Sequence, residues 1–204
     1  TKAVVWYSDM RRSTELADTM SPDDFLILLN DYFECTAGAA IESGGEVLDF
    51  IGDAVLAIFP FEDEAGKMQA VRCATLALEK ALSCAEQTNR TRREAGRTEF
   101  EFGVGINAGK VMFGNIGVAS CLSFSVIGPT VNEVERIETM TKAVDARALA
   151  SKEIAIISPQ QWTSIGQFPL KGVAGYTELF AFNEAPITVL DGDVAKSEEA
   201  VLMN

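Results

Sequence analysis

An amide and a guanidinium stand four residues apart in the stretch Gly128-Pro-Thr-Val-Asn132-Glu-Val-Glu-Arg136-Ile-Glu138. Residues at i and i+4 share one helix face, so on a helix Asn132 and Arg136 point into the same space. An Asn can fix a hydroxyl, and an Arg can hold a charged phosphoryl group. Two carboxylates, Asp9 and Asp53, fall where apolar runs end. Amide, guanidinium and paired carboxylates together suit metal-assisted chemistry on a nucleotide phosphate. Each also has a plainer reading. Asp9 can cap a helix, and Gly52-Asp53 is a commonplace turn pair. Asn132 can be a surface amide, and Arg136 can pair with Glu133, Glu135 or Glu138.

The elements that must position these groups follow from pattern. Residues 3–7 form a buried strand that ends at Asp9 and runs into Met10-Arg11-Arg12-Ser13-Thr14. A strand entering a helix N-terminus offers free backbone N–H groups to a phosphate. An acid at that strand's end can hold a divalent metal against it. Residues 13–17 predict a short helix. Ser21-Pro-Asp-Asp starts a longer one, with a cap, Pro at the first position and acids in the first turn. Gly44-Gly45 ends that helix. Residues 46–51 and 54–59 read as strands joined in a hairpin at Gly52-Asp53, with apolar runs holding the turn on both sides.

A long helix is expected over residues 63–94 and strands over 99–107 and 122–127, with a hairpin arm at 110–113. Gly114-Asn-Ile-Gly117 reads as a turn. The helix carrying Asn132 and Arg136 spans about 131–143, and strands at 153–157 and 176–182 close the sheet. Gly103, Gly105, Gly109, Gly114 and Gly117 do not form the GxGxxG of a dinucleotide site. Hairpin turns and bulges account for them. The order is α+β, with helices on one face of an antiparallel sheet. One domain covers residues 1–184, and the polar stretch 185–204 reads as a tail or linker.

Composition excludes several classes. The 204 residues carry a net charge of −13 and no His. The acidity argues against nucleic-acid partners, whose binding rests on clustered Lys and Arg. It does not argue against a nucleotide, because bound divalent metals reverse the local charge. Without His there is no Ser-His-Asp triad and no His metal ligand. Cys35, Cys73, Cys84 and Cys121 form no CxxC pair, so a zinc site is not expected. Buried, reduced thiols in a reducing compartment, and hence a cytoplasmic location, are the expectation. No apolar run reaches the ~18 residues of a membrane span, and no signal peptide is visible. The first residue is Thr1 rather than Met, which is compatible with a piece of a longer protein carrying a fused sensor or other domain.

Taken in order, the motifs resemble the catalytic domain of the class III nucleotide cyclases. They are Asp9-Met-Arg-Arg-Ser-Thr14, Gly44-Gly45 leading to Phe50-Ile-Gly-Asp-Ala54, Gly105-Ile-Asn-Ala-Gly109, Gly114-Asn-Ile-Gly117, Val126-Ile-Gly128, Val131-Asn132 through Arg136-Ile-Glu138, and Leu170-Lys171-Gly172. The resemblance covers residues 3–182. It implies a ferredoxin-like α+β domain working as a head-to-tail homodimer with shared active sites. It also implies cyclisation of a purine nucleoside triphosphate, ATP before GTP, to a 3′,5′-cyclic nucleotide and pyrophosphate, with two Mg²⁺ or Mn²⁺ ions per site. By position, Asp9 and Asp53 resemble the metal-binding acids, joined by the carbonyl of Met10. From the partner chain, Asn132 resembles the ribose-orienting amide, Arg136 the transition-state arginine and Lys171 the triphosphate lysine. Arg11, Ser13 and Thr14 fall on the phosphate side of the same motif.

Four positions depart from the family pattern. Adenylate cyclases commonly carry a base-reading Lys where this chain has Asp49; guanylate cyclases carry Glu there. An ionised carboxylate accepts from guanine N1–H and cannot donate to adenine N1. That leaves a guanylate or relaxed-specificity cyclase as the alternative. The paired base-reading position is Ser125, which can donate or accept. Gly103 and Ser13 stand where the family often has Arg and Phe. A nucleotide-binding domain that regulates or dimerises without turnover is the remaining alternative.

Overall fold

The computed structural model describes residues 1–118, 121–173 and 175–183, without the side chains of residues 115–125. The expected tail lies outside the described residues.

Nine strands and six α-helices are present among the described residues. The strands are β1 (Lys2–Met10), β2 (Glu46–Ile51), β3 (Ala54–Phe61), β4 (Phe102–Lys110), β5 (Met112–Val118), β6 (Cys121–Ile127), β7 (Ala148–Ser151), β8 (Trp162–Pro169) and β9 (Tyr176–Phe182). The helices are α1 (Ser13–Thr19), α2 (Pro22–Phe33), α3 (Ala39–Glu42), α4 (Glu64–Glu94), α5 (Pro129–Ala143) and α6 (Lys152–Ala155). Seven strands form one sheet in the order β2-β3-β1-β4-β7-β9-β8, and β5 pairs with β6 in a separate arm. Only β4 and β7 pair in parallel among the described residues; the rest are antiparallel, as expected of the α+β class.

Alternation along β1 sends side chains to two different cores. Val4 and Trp6 join Val55, Ala57 and Phe59 of β3 against Leu28 and Tyr32 of α2 and the Ala-rich stripe of α4. Ala3 and Val5 join Leu56 and Ile58 on the other face, against Val134 of α5 and Val111 and Val126. The one-face packing expected of the helices therefore holds for α2 to α4. Helix α5 departs from it and covers the opposite face.

The reason is the glycine stripe. Gly103, Gly105 and Gly109 are interior to β4, not in turns as expected, and they face α5. A Cβ on Gly105 would stand 2.5 Å from the Val134 carbonyl oxygen, and one on Gly109 would collide with Thr130 Oγ1. The missing side chains let the helix backbone rest directly on the strand.

Further differences are local. Gly114 to Gly117 lies inside β5 and is not a turn. Residues 153–157 are not a strand; α6 begins at Lys152, one residue after β7. Strand β7 is only four residues long, too short to show a period, and β8 carries a bulge between Ser164 and Gly166. Helix α2 passes into a π-helical turn, Glu34–Gly38, before α3. On that turn Cys35 faces Cys84 of α4, with Cα atoms 5.3 Å apart, and the two form a disulfide. This corrects the expectation of reduced thiols for Cys35 and Cys84, whereas Cys73 keeps its thiol. The bond joins facing helices 49 residues apart in sequence, a proximity that no local spacing reveals.

Candidate active site

Asp9 lies near the end of β1, between Ala54 of β3 and Gly103 of β4. The β2–β3 hairpin turns tightly at Gly52, whose φ of +66° suits a residue without Cβ. That turn presents Asp53 one residue before Asp9's strand neighbour Ala54, so both acids lie at the same end of adjacent strands. Their proximity shows in the electrostatics. The Asp9 carboxyl is raised above its ordinary value by burial, lowered in part by Lys142 and raised again by Asp53. Two partly shielded carboxylates that repel one another favour a hard divalent cation between them. Among the described residues no cluster of three or more His, Cys, Asp or Glu side chains could hold a metal. Two acids alone could supply only part of such an ion's coordination shell. The backbone of Met10, whose side chain is buried, follows directly.

Asn132, Arg136 and Lys171 come together elsewhere. They line a cavity of about 450 Å³ between α5 and the turn after β8, with Glu135, Thr139, Met140, Pro169 and Leu170. The i, i+4 spacing on α5 does what the sequence predicts. The turn is pinned by Gly172, whose φ is +75°; a Cβ there would stand 3.2 Å from an Arg136 guanidinium nitrogen. Neither Asp9 nor Asp53 lines this cavity.

The remaining expected residues are placed as follows. Ser13 and Thr14 open α1 behind Arg12, which takes a left-handed conformation (φ +59°) and pairs with Glu15. Arg11 Nη2 donates to the Ala146 carbonyl at 2.7 Å. It lines a different cavity, of about 480 Å³, with Arg90, Arg93, Glu86 and Glu99. The Arg11 side chain is therefore held away from the cavity of Arg136. Asp49 is exposed and pairs with Leu56, just past a bulge between Val47 and Asp49. The bulge turns Asp49 toward the sheet face covered by α5, where β2 also meets β6. The side chain of Ser125 lies outside the described residues; its backbone pairs with Gly114.

Two groups near Asp9 were missed by sequence reasoning. Lys142, in the last turn of α5, donates to Asp9 Oδ2 at 2.9 Å. Glu138, 2% exposed, is pushed up to about 7 by burial and by Asp9. Both follow Arg136 on the predicted helix. What hid them was the glycine seat, because no sequence signal shows that α5 lies against Gly103.

The whole of this arrangement, residues 1–183, matches the adenylate and guanylate cyclase catalytic domain family. The chain belongs to that family. Among curated relatives, this cyclase domain is 29% identical to an adenylate cyclase of Anabaena cylindrica over 153 residues, 75% of the chain and 30% of that protein. It is 31% identical to adenylate cyclase 1 of Rhizobium meliloti over 147 residues, 71% of the chain and 22% of that protein. The chain thus spans under a third of the length of these relatives. In structure it resembles the adenylyl cyclase CyaB of P. aeruginosa, with a TM-score of 0.76, 25% identity and coverage of 91% and 95% of the two chains. The fold is also that of the guanylyl cyclase Cya2, with a TM-score of 0.75, 24% identity and coverage of 93% and 95%. No helix among the described residues is long and apolar enough to cross a membrane.

Proposed function

We propose that this domain converts a purine nucleoside triphosphate, ATP before GTP, to its 3′,5′-cyclic monophosphate and pyrophosphate at sites shared by two copies of the chain. The observation that carries the reading is the separation of the two half-sites. The carboxylate pair Asp9 and Asp53 lies at one place, and Asn132, Arg136 and Lys171 line a cavity that neither acid reaches. A second copy turned head to tail brings one half against the other. Exposed apolar side chains support such a contact: Leu26 on α2, Phe50 and Ile51 on the hairpin, and Met112 and Ile127 on the arm are all 45% exposed or more.

Asp9, Asp53 and the Met10 carbonyl would hold Mg²⁺ or Mn²⁺, with triphosphate oxygens completing the shell. Such ions, when bound, lower the pKa of the attacking hydroxyl and neutralise the triphosphate. Asn132 orients the ribose so that its 3′-oxygen faces the α-phosphorus. Arg136 donates charge-assisted hydrogen bonds to the α-phosphoryl oxygens, which gain charge as the bond to pyrophosphate breaks. Lys171 and the N–H groups at the start of α1 take the remaining phosphates. The new bond is 3′-O to Pα; pyrophosphate leaves with the electron pair, and the hydroxyl proton passes to solvent.

Asp49 favours a second reading. It is an exposed acceptor on the strand that meets β6, and it suits guanine better than adenine. The test is product formation from ATP and GTP in parallel, with Mg²⁺ and with Mn²⁺, at protein concentrations that populate dimers. Cyclic AMP as the main product supports the first reading. Cyclic GMP makes Asp49 the base-reading residue. No product from a folded dimer contradicts both and leaves a regulatory nucleotide-binding domain.

A further inference from the structure

The surroundings of Asp9 are short of positive charge. Asp53 and Glu138 both face it electrostatically. Its cross-strand neighbour on β4 is Gly103. No side chain can enter from there: a Cβ on Gly103 would stand 2.5 Å from Glu138 Oε1 and collide with Thr141 Oγ1. Arg11 is tied to the Ala146 carbonyl. Among the described residues, the cation hydrogen-bonded to Asp9 comes from α5 itself, on the same sheet face. Lys142 Nζ stands 2.9 Å from Asp9 Oδ2, with the Lys142 side chain 47% and the Asp9 side chain 23% exposed.

We propose that Lys142 is a tethered cation that competes with divalent metal for Asp9, keeping metal binding weak until nucleotide arrives. This role rests on the reading of Asp9 and Asp53 as the metal-holding acids. An ammonium on a carboxylate oxygen blocks one donor and repels a second cation at the same acid. A flexible four-carbon stem with a half-exposed head can swing away at little cost. Metal bound to a triphosphate arrives with compensating negative charge, so Lys142 opposes the bare ion more than the nucleotide-bound one. Lys142 then acts as a positioning residue. It makes metal occupancy follow substrate.

The test is direct Mn²⁺ binding to nucleotide-free protein, read by loss of the electron paramagnetic resonance signal of free Mn²⁺. Lys142→Met keeps the stem and removes the charge. It should bind Mn²⁺ on the order of ten-fold more tightly than the wild type. Lys142→Arg should stay near wild type. Asp53→Asn, alone and combined with Lys142→Met, reports whether the ion is at the acids. Tight binding by Lys142→Met that Asp53→Asn abolishes supports the proposal. If Lys142→Met binds no more tightly, while Asp53→Asn still weakens binding, the role of Lys142 is overturned and the acid pair stands. If Asp53→Asn changes nothing in either background, the acids do not hold the ion and both readings fall. Lys142 is half exposed, so the fold should tolerate its replacement; circular dichroism checks this.

Discussion

Removing one carboxylate from the Asp9–Asp53 pair leaves the other without the arrangement that would hold a divalent ion. Asp53→Ala, at a hairpin tip, should abolish turnover, a loss of at least about a hundred-fold, while the melting temperature stays within a few degrees of wild type. Unchanged turnover would remove Asp53 from the mechanism. Glu138 makes a separate claim, about stability. Its carboxyl rises from an ordinary 4.5 to about 7, first through burial and then through Asp9. Below about pH 4.5 the folded and unfolded chains both carry the proton. Between there and about 7 the unfolded chain releases it while the folded chain retains it, so stability falls as pH rises, by up to roughly 3 kcal/mol. In metal-free protein, Glu138→Gln should flatten this fall when urea unfolding is followed from about pH 5 to pH 7.5. Equal slopes for variant and wild type would contradict the assignment. At this scale the sequence was legible where residues recur as motifs: Asp9 and Asp53 lie close together, and Asn132, Arg136 and Lys171 line one cavity. It was silent about Lys142 and Glu138, whose roles depend on how α5 meets β4. It also placed Arg11 by chain proximity to the phosphate turn, whereas the side chain reaches Ala146.

Among the elements, α5 and β4 form the joint that sets the site. Their closeness depends on glycine at three positions on the same face of β4, which explains why a stretch that looked like turns is strand interior. Gly105→Ala should destabilise the domain by about 1–3 kcal/mol through overpacking against the Val134 carbonyl, measured by urea unfolding. A neutral result would mean that α5 can lift without loss. The second joint is the Cys35–Cys84 disulfide between the π-helical turn and α4, which closes a loop of 49 residues. Reduction, or Cys84→Ser, should lower stability by about 2–4 kcal/mol. A melting temperature indifferent to reductant would contradict that tie. Long elements such as β1, α2, β3 and α4 were legible because their continuous apolar runs or apolar helix faces are long enough to mark them. The short ones, β7 and α6, hold only four residues each, so tertiary contact rather than pattern decides them.

For the whole molecule, the account requires two chains. The sequence order of the motifs carries the family, but nothing in a single sequence says which motifs meet. The folded chain divides them: the acids sit at the end of β1 and the hairpin, and the amide and guanidinium sit in the cavity beside the turn after β8. On the proposed reading, the apolar side chains exposed on α2, the hairpin and the arm would form the contact that unites the halves. The most direct test is complementation. Asp9→Ala and Arg136→Ala chains are purified separately, mixed so that heterodimers form, and assayed for cyclic nucleotide with ATP and with GTP. The account predicts that each variant alone is inactive and that the mixture recovers one working site per heterodimer. Heterodimers that form and stay inactive would contradict it.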